Sequence, residues 1–580
     1  MNHVFFGARR ILVGSSLALW MCLGSVVSAQ TGPAPDVYLI HMGASEVLSD
    51  LKAVMDLTSP DEQKQYDKLL EHLELTLPGV DRNRPLRTDL LLNQSPYRMR
   101  TWIPVSNESV FWSENLNPNG IAQHSQIFAN AYKLDGQVYP YFVWIQHGYA
   151  QFVEVHRKRR GNQRQVSDFV NIVRPGQEGY PANPITQFTD KGQEFGLEGT
   201  NRPGNIEERR ELFFGPNGLK DALLDTHLKL KDEPQDLYDL NHLAFSVQLD
   251  ELGRIFTEGK HFLVGGRLDE SRNRGELDGK LVALPDTALQ ASMEKMGVKP
   301  SRFAAIPRSE QPVLSLRMNL FLDEMRRRGY LAILDQLRKT AINRINDQST
   351  RTAPQKAAMV TATDQMYKLA EKTFSAGSAI GFVEMKADGQ FHTTVAAMEV
   401  ADGGDAVQIL KTLQNAGPDL KVQFDIDKFG DVAVHSFDLD PAVRETYQAL
   451  VGSNTIYVGT EGNAVWLAGG PNALDALKTA VSQAKPTTEG TEKFLTVAGR
   501  FGPWFAARQK AQGDKLVEPF RTQHRLAVEA AKPGDDRFDI SLTRDGQDLQ
   551  IDVALEAGVL RWLGKSLAHI AKEQIPDKNN

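Results

Sequence analysis

The sequence predicts an α+β fold: two related halves of repeated ββα units, 36–298 and 313–575, with antiparallel sheets carrying helices on one face and a helical hairpin near 319–376. Three observations lead there. A strand–turn–strand–helix pattern recurs along the chain. Three of its five turns carry Asp-Gly or Gly-Asn. A strand running straight into a helix also recurs, as HLAFSVQLDELGRIF, PVLSLRMNLFLDEMRR and EKFLTVAGRFGPWFAAR.

The clearest copy is Ser378–Gln414. Ile380–Met385 and Phe391–Glu399 are rich in the β-branched, aromatic and apolar residues that favour strands. Asp388-Gly389 between them suits a tight primed turn, whose central residues need positive φ. Gly403-Gly404 breaks the pattern, and Ala406, Ile409, Leu410 and Leu413 then line one helix face.

Taken in order, Met1–Ala29 has the layout of a cleavable export signal: Arg9 and Arg10, an apolar Ile11–Val27, and the small residues Val27-Ser28-Ala29. Cleavage after Ala29 would leave 551 of 580 residues, long enough to divide into several domains. The two arginines fit the general secretory route better than the twin-arginine one, and bulky Trp20-Met21 before Cys22 argues against lipidation. Cys22 is the sole cysteine, so the exported chain has no disulfide, thiol nucleophile or cysteine-held metal. Net charge is −7, and −9 once Arg9 and Arg10 are lost, which argues against general nucleic-acid affinity. No later apolar run is long enough to span a membrane.

Asp36–Met42 reads as a strand, followed by helical sequence to Leu75 that restarts at Ser59-Pro60-Asp61-Glu62. Leu86–Leu92 and Tyr97–Val105 form a second hairpin, with Asn107 as N-cap of a short helix. Val138–Ile145 and Tyr149–Val155 form an aromatic hairpin. From 157 to 216 Gly, Pro, Asn, Gln and charge dominate, as expected of an irregular insertion. A helix at Leu219–Leu230, a strand at His242–Leu249 and the hairpin Phe262–Asp269/Leu277–Leu284 follow. Residues 299–312, with three prolines, read as a linker.

The second half begins with a strand at Val313–Met318 and two helices, about Asn319–Asn346 and Ala353–Phe374. After the Ser378–Gln414 copy come strands at Val422–Ile426 and Val432–Phe437, then a compact copy from Thr455 to Ala484. A last copy runs from Arg537 through Asp545-Gly546 into a helix at about Gly558. The signal segment, the tandem hairpin-plus-helix pattern and the absence of cysteine from the exported chain resemble large bacterial exported proteins of unknown function. That resemblance carries no catalytic residue over.

Motif chemistry is mostly absent. Gly377-Ser378-Ala379-Ile380-Gly381 has the glycines of a nucleophile elbow with the serine misplaced. Gly275–Lys280 has a Gly-Lys pair at the wrong spacing for a phosphate loop. Asp425–Gly430 starts like a calcium loop, but Phe429 and Ser436 stand where oxygen donors and a bidentate glutamate are needed, so Asp425 and Asp427 read as the solvent side of a strand. His124, His147, His156, His242 and His261 lack metal-ligand spacing. No cofactor or metal is expected.

The strongest charge feature is Arg157, Lys158, Arg159, Arg160 and Arg164, five cations within eight residues after the aromatic hairpin. On an acidic chain this reversal suits an anionic envelope polymer, a lipid headgroup or an acidic protein partner. Arg326-Arg327-Arg328 reads as a solvated helix face. The expected function is an exported, soluble, non-enzymatic binding or scaffold protein of the bacterial cell envelope. The alternatives are an envelope polysaccharide or peptide hydrolase with a site assembled from separated residues, and a hydrophobic-ligand carrier.

Overall fold

A computed structural model describes residues 37–574 except 75–77, 92–97, 118–122, 125–130, 135–140, 147, 155–158, 161–162, 165–194, 202, 217, 230–232, 418–419, 440–446, 449–450, 513–517 and 519. The signal segment lies outside them. The fold is α+β with antiparallel pairing throughout, in two compact units. The first comprises 1–219, 253–289 and 563–580; the second comprises 220–252 and 290–562. None of the described helices is long and apolar enough to cross a membrane.

In the first unit the strands are β1 (Val37–Gly43), β2 (Pro85–Leu91), β3 (Arg98–Pro104), β4 (Gln123–His124), β5 (Tyr132–Leu134), β6 (Tyr141–Gln146) and β7 (Tyr149–Glu154). The short β8 (Arg159–Arg160) and β9 (Gln163–Arg164) pair only with each other. Then come β10 (Phe195–Thr200), β11 (Gly259–Asp269) and β12 (Arg274–Ala283). The sheet runs β12-β11-β10-β1-β2-β3-β7-β6-β5-β4. Helices Ala44–Asp56 and Pro60–Glu74 follow β1 as expected, the second beginning at Pro60. Asn107 caps its short helix by accepting from Val110 N–H.

The second unit holds β13 (Leu314–Phe321), β14 (Ser378–Asp388), β15 (Phe391–Glu399), β16 (Gln423–Phe429), β17 (Val432–Asp438), β18 (Thr455–Glu461), β19 (Ala464–Gly469), β20 (Lys493–Arg500), β21 (Arg537–Asp545) and β22 (Asp548–Leu555). Their order is β22-β21-β20-β13-β14-β15-β19-β18-β17-β16. With β8 and β9 set aside, this is strand for strand the order of the first sheet. The helical hairpin Glu324–Asp347/Ala353–Ser375 is present, and Gly389 and Gly546 take the positive φ their turns require. The main core packs Phe382, Val434 and Trp466 against Leu477 of the helix Ala473–Gln483.

Four readings need correction. The stretch 157–216 is not all irregular, because β10 lies between β1 and β11 and the helix Ile206–Phe214 follows it. His242–Leu249 is not a strand but the middle of the helix Gln235–Glu258. Alternating apolar residues there are too few to overrule a continuous helical run. Residues 299–312 are not a free linker: Phe303 and Ile306 are buried in the main core, and Arg302 pairs with Glu461 at 2.5 Å. Arg326 is not solvated. It makes a two-pronged pair with Glu251, at 2.5 and 3.0 Å, while Arg328 stays exposed.

Candidate functional site

Two places bring chemically capable groups together, one in each unit. In the first sheet, strand register sets Arg87 opposite Trp102, Trp102 opposite Gln151, and Gln151 opposite Trp144. Directly opposed residues project on the same face of a sheet. This makes a row of indole, amide and indole across β3, β7 and β6, with a guanidinium at its β2 end. All four side chains are buried, and Gln151 is 0% exposed.

Gln151 is the anomaly in that row. Among the described residues neither its Oε1 nor its Nε2 has a hydrogen-bond partner. A buried amide left this way destabilises the fold by about 1–3 kcal/mol for each unmet group. Tyr149, one step along β7, packs on Trp102, and Arg84 lies over its ring at 4.1 Å. Arg84 Nη1 donates to Gly148 O at 3.1 Å, which fixes the guanidinium above the phenol. Burial pushes the Tyr149 hydroxyl pKa up despite the nearby Arg84 charge, so it stays a neutral phenol. The row sets two ring faces, closed from solvent in this structure, around one amide whose donor and acceptor are both unspent among the described residues. It offers no nucleophile.

The second place is His435 on β17. Its Nδ1 accepts the Asp425 backbone N–H at 3.1 Å, and its Nε2 lies 3.1 Å from Thr460 Oγ1. Asp425 Oδ1 stands 3.8 Å from Nδ1. Carboxylate, imidazole and hydroxyl thus occur in the sequence a catalytic triad uses. The tautomer is the reverse of what a triad needs. Because Nδ1 accepts from an N–H, the proton must sit on Nε2, which therefore donates to Thr460 Oγ1 instead of taking its proton. Burial, against the opposing Asp425 charge, holds the ring's pKa below its usual value. Thr460 is 6% exposed and gains no activation.

The expected alternation along β16 also fails here. Asp425 and Asp427 are exposed as expected, but Asp425 sits in a bulge with φ +52 and Ile426 beside it is exposed too, while Phe424 packs edge-on against His435. Of the basic cluster, Arg159, Arg160 and Arg164 fall on the small β8/β9 pairing, while Arg157 and Lys158 lie outside the described residues. Of the scattered histidines, His261 bonds Glu198 at 2.9 Å, His242 stacks in the helix Gln235–Glu258 against Tyr238, and His124 lies on β4. His147 and His156 lie outside the described residues. Among the described residues no group of three His, Cys, Asp or Glu is placed to hold a metal. Sequence reading singled out neither Gln151 nor His435. The one signal for Gln151 was an amide standing among the aromatic residues of a hairpin strand.

No known protein family, curated protein or solved structure matches this chain.

Proposed function

We propose that this chain is an exported, non-enzymatic binding protein of the bacterial cell envelope, and that its first unit takes a unit of an acidic glycan on the row Trp102–Gln151–Trp144. The observation that carries the reading is the Gln151 amide, wholly buried between two indoles with both polar atoms unmet. Binding sites typically combine apolar and aromatic walls with a few convergent polar groups. Here a sugar that displaced the cover over the row would satisfy the amide with a hydroxyl and lay its C–H faces on the indoles. The basic residues Arg157 to Arg160 and Arg164 carry the preference for an anionic polymer.

The absence of an activated hydroxyl at Thr460 weighs for binding over hydrolysis. The test is calorimetry and tryptophan fluorescence on the exported chain with purified soluble glycan fragments of the envelope. Saturable binding that Gln151→Leu abolishes supports the reading. If no fragment binds, or Gln151→Leu binds as well as wild type, the amide holds an internal water only and the reading fails.

A further inference from the structure

We propose that His435 and the Asp425 bulge form an acid-released latch on the edge strand of the second sheet. Among the described strands β16 pairs on one side only, with β17. The register there jumps from Gln423↔Ser436 to Asp427↔Val434, so Phe424, Asp425 and Ile426 together face His435. The bulge depends on a conformation that side chains other than glycine adopt at some cost, φ +52 at Asp425. It is closed by the Asp425 N–H donating to His435 Nδ1.

Protonation reverses that contact. Nε2 already carries its proton toward Thr460, so an incoming proton goes to Nδ1 and makes it a donor. Two N–H groups then face each other at 3.1 Å, and the amide must leave. A replacement acceptor stands ready: Asp425 Oδ1 is 3.8 Å from Nδ1, on a side chain 79% exposed. Turning that carboxylate inward to meet the imidazolium requires the bulge to rearrange and frees the backbone of β16 from its present register.

Among the described residues the surroundings add no competing charge on the ring, since the helix Ala473–Gln483, which also packs on β16, turns its Lys478 over the Phe429 ring at 5.7 Å. On the other flank Thr460 offers a neutral hydroxyl, and Phe424 lies at 5.6 Å with its ring edge-on. The helix Gly403–Gln414, which packs toward β18 and β19, buries Ala406, Ile409 and Leu410. Asp427 turns back to its own strand and accepts from Lys428 N–H. Among the described residues the Asp425 carboxylate is the charge that acts on the ring. The closed form holds a neutral ring whose pKa is lowered by burial. As pH falls below about 6.5, the opened form takes up a proton first, and the closed form loses ground until its own lower value is reached.

Peptide-level hydrogen exchange on the whole chain from pH 7 to pH 5, normalised for the chemical exchange rate, tests the latch. In wild type, protection of 423–429 should fall by up to about tenfold per pH unit, while 464–469 holds steady. His435→Gln keeps an acceptor for Asp425 N–H and a donor for Thr460 without titrating, and its profile should be flat. Asp425→Asn removes the waiting carboxylate, so opening should move to lower pH. A flat wild-type profile overturns the proposal, as does parallel loss in His435→Gln. If His435→Gln does not fold, an Asp425→Asn profile that coincides with wild type overturns it.

Discussion

Lys565 Nζ donates to Glu62 Oε1 at 2.7 Å, joining residues 503 positions apart within the first unit. The other Glu62 oxygen accepts from Ser59 N–H and Oγ, closing the first turn of the helix Pro60–Glu74. Ala568, one turn beyond Lys565 in the helix Ala557–Gln574, packs with Met55 and Tyr66. Burial raises the Glu62 pKa, but the Lys565 and Ser59 hydrogen bonds outweigh it and hold the carboxyl below its usual value. A depressed carboxylate stabilises the fold above its unfolded pKa and loses that contribution as pH falls through its folded one. Lys565→Met should therefore lower unfolding free energy at pH 7 by about 1–3 kcal/mol, with a smaller deficit near pH 3. Urea titrations at the two pH values check this; equal stability at pH 7 would dismiss the pair as structural support.

Much of the architecture was readable because it rests on local chemistry. Asp388-Gly389, Asp545-Gly546 and Asn107 announce turns and a cap whatever surrounds them. β10 was not readable, since FGLEGT has two glycines and little β-branching. What makes it a strand is non-local. Gly266 on β11 lies under the Phe195 ring, where a Cβ would sit 2.1 Å from Cζ. Gly266→Ala should thus push the ring off the strand and destabilise the first unit by about 1–3 kcal/mol. Thermal unfolding would show it, and an unchanged midpoint would mean that Phe195 moves aside freely.

The candidate site was illegible for the same reason. Gln151 stands alone in the chain, and only pairing of β3, β7 and β6 places it between Trp102 and Trp144. Gln151→Leu keeps the volume roughly constant and removes two unmet polar atoms. It should raise stability by about 2–6 kcal/mol, about 1–3 kcal/mol for each group, while abolishing glycan binding. Denaturant midpoints and calorimetry on one preparation separate the two effects. A destabilised variant would mean that the amide has a partner the fold depends on.

For the basic cluster the expectation concerns salt. Replacing Arg157, Lys158, Arg159 and Arg160 with serine removes four cations and should flatten the dependence of envelope-glycan affinity on ionic strength. Binding isotherms between low and physiological salt measure it. A slope that does not change would exclude these residues from the ligand's path.

The segment 299–312 looked like a spacer because prolines mark breaks in helix and strand, yet a break says nothing about what the intervening side chains touch. Phe303 meets Phe382 and Trp466 at 5.6 and 5.4 Å, and Arg317 reaches up from β13 to donate to Phe303 O at 3.2 Å. Glu384, held by Ser315 Oγ of β13 at 2.8 Å, ties the same segment down by accepting from Ser309 N–H at 2.9 Å. Burial, only partly opposed by Glu384, lowers the Arg317 pKa. The segment thus acts as a strap over the second sheet, with one aromatic ring as its wedge. Phe303→Ala empties a site that is 2% exposed, and should cost about 3–5 kcal/mol of the second unit's stability. Phe303→Leu, which refills most of the volume, should recover the greater part. Equal losses in the two variants would place the strap's hold in its polar contacts rather than in the ring.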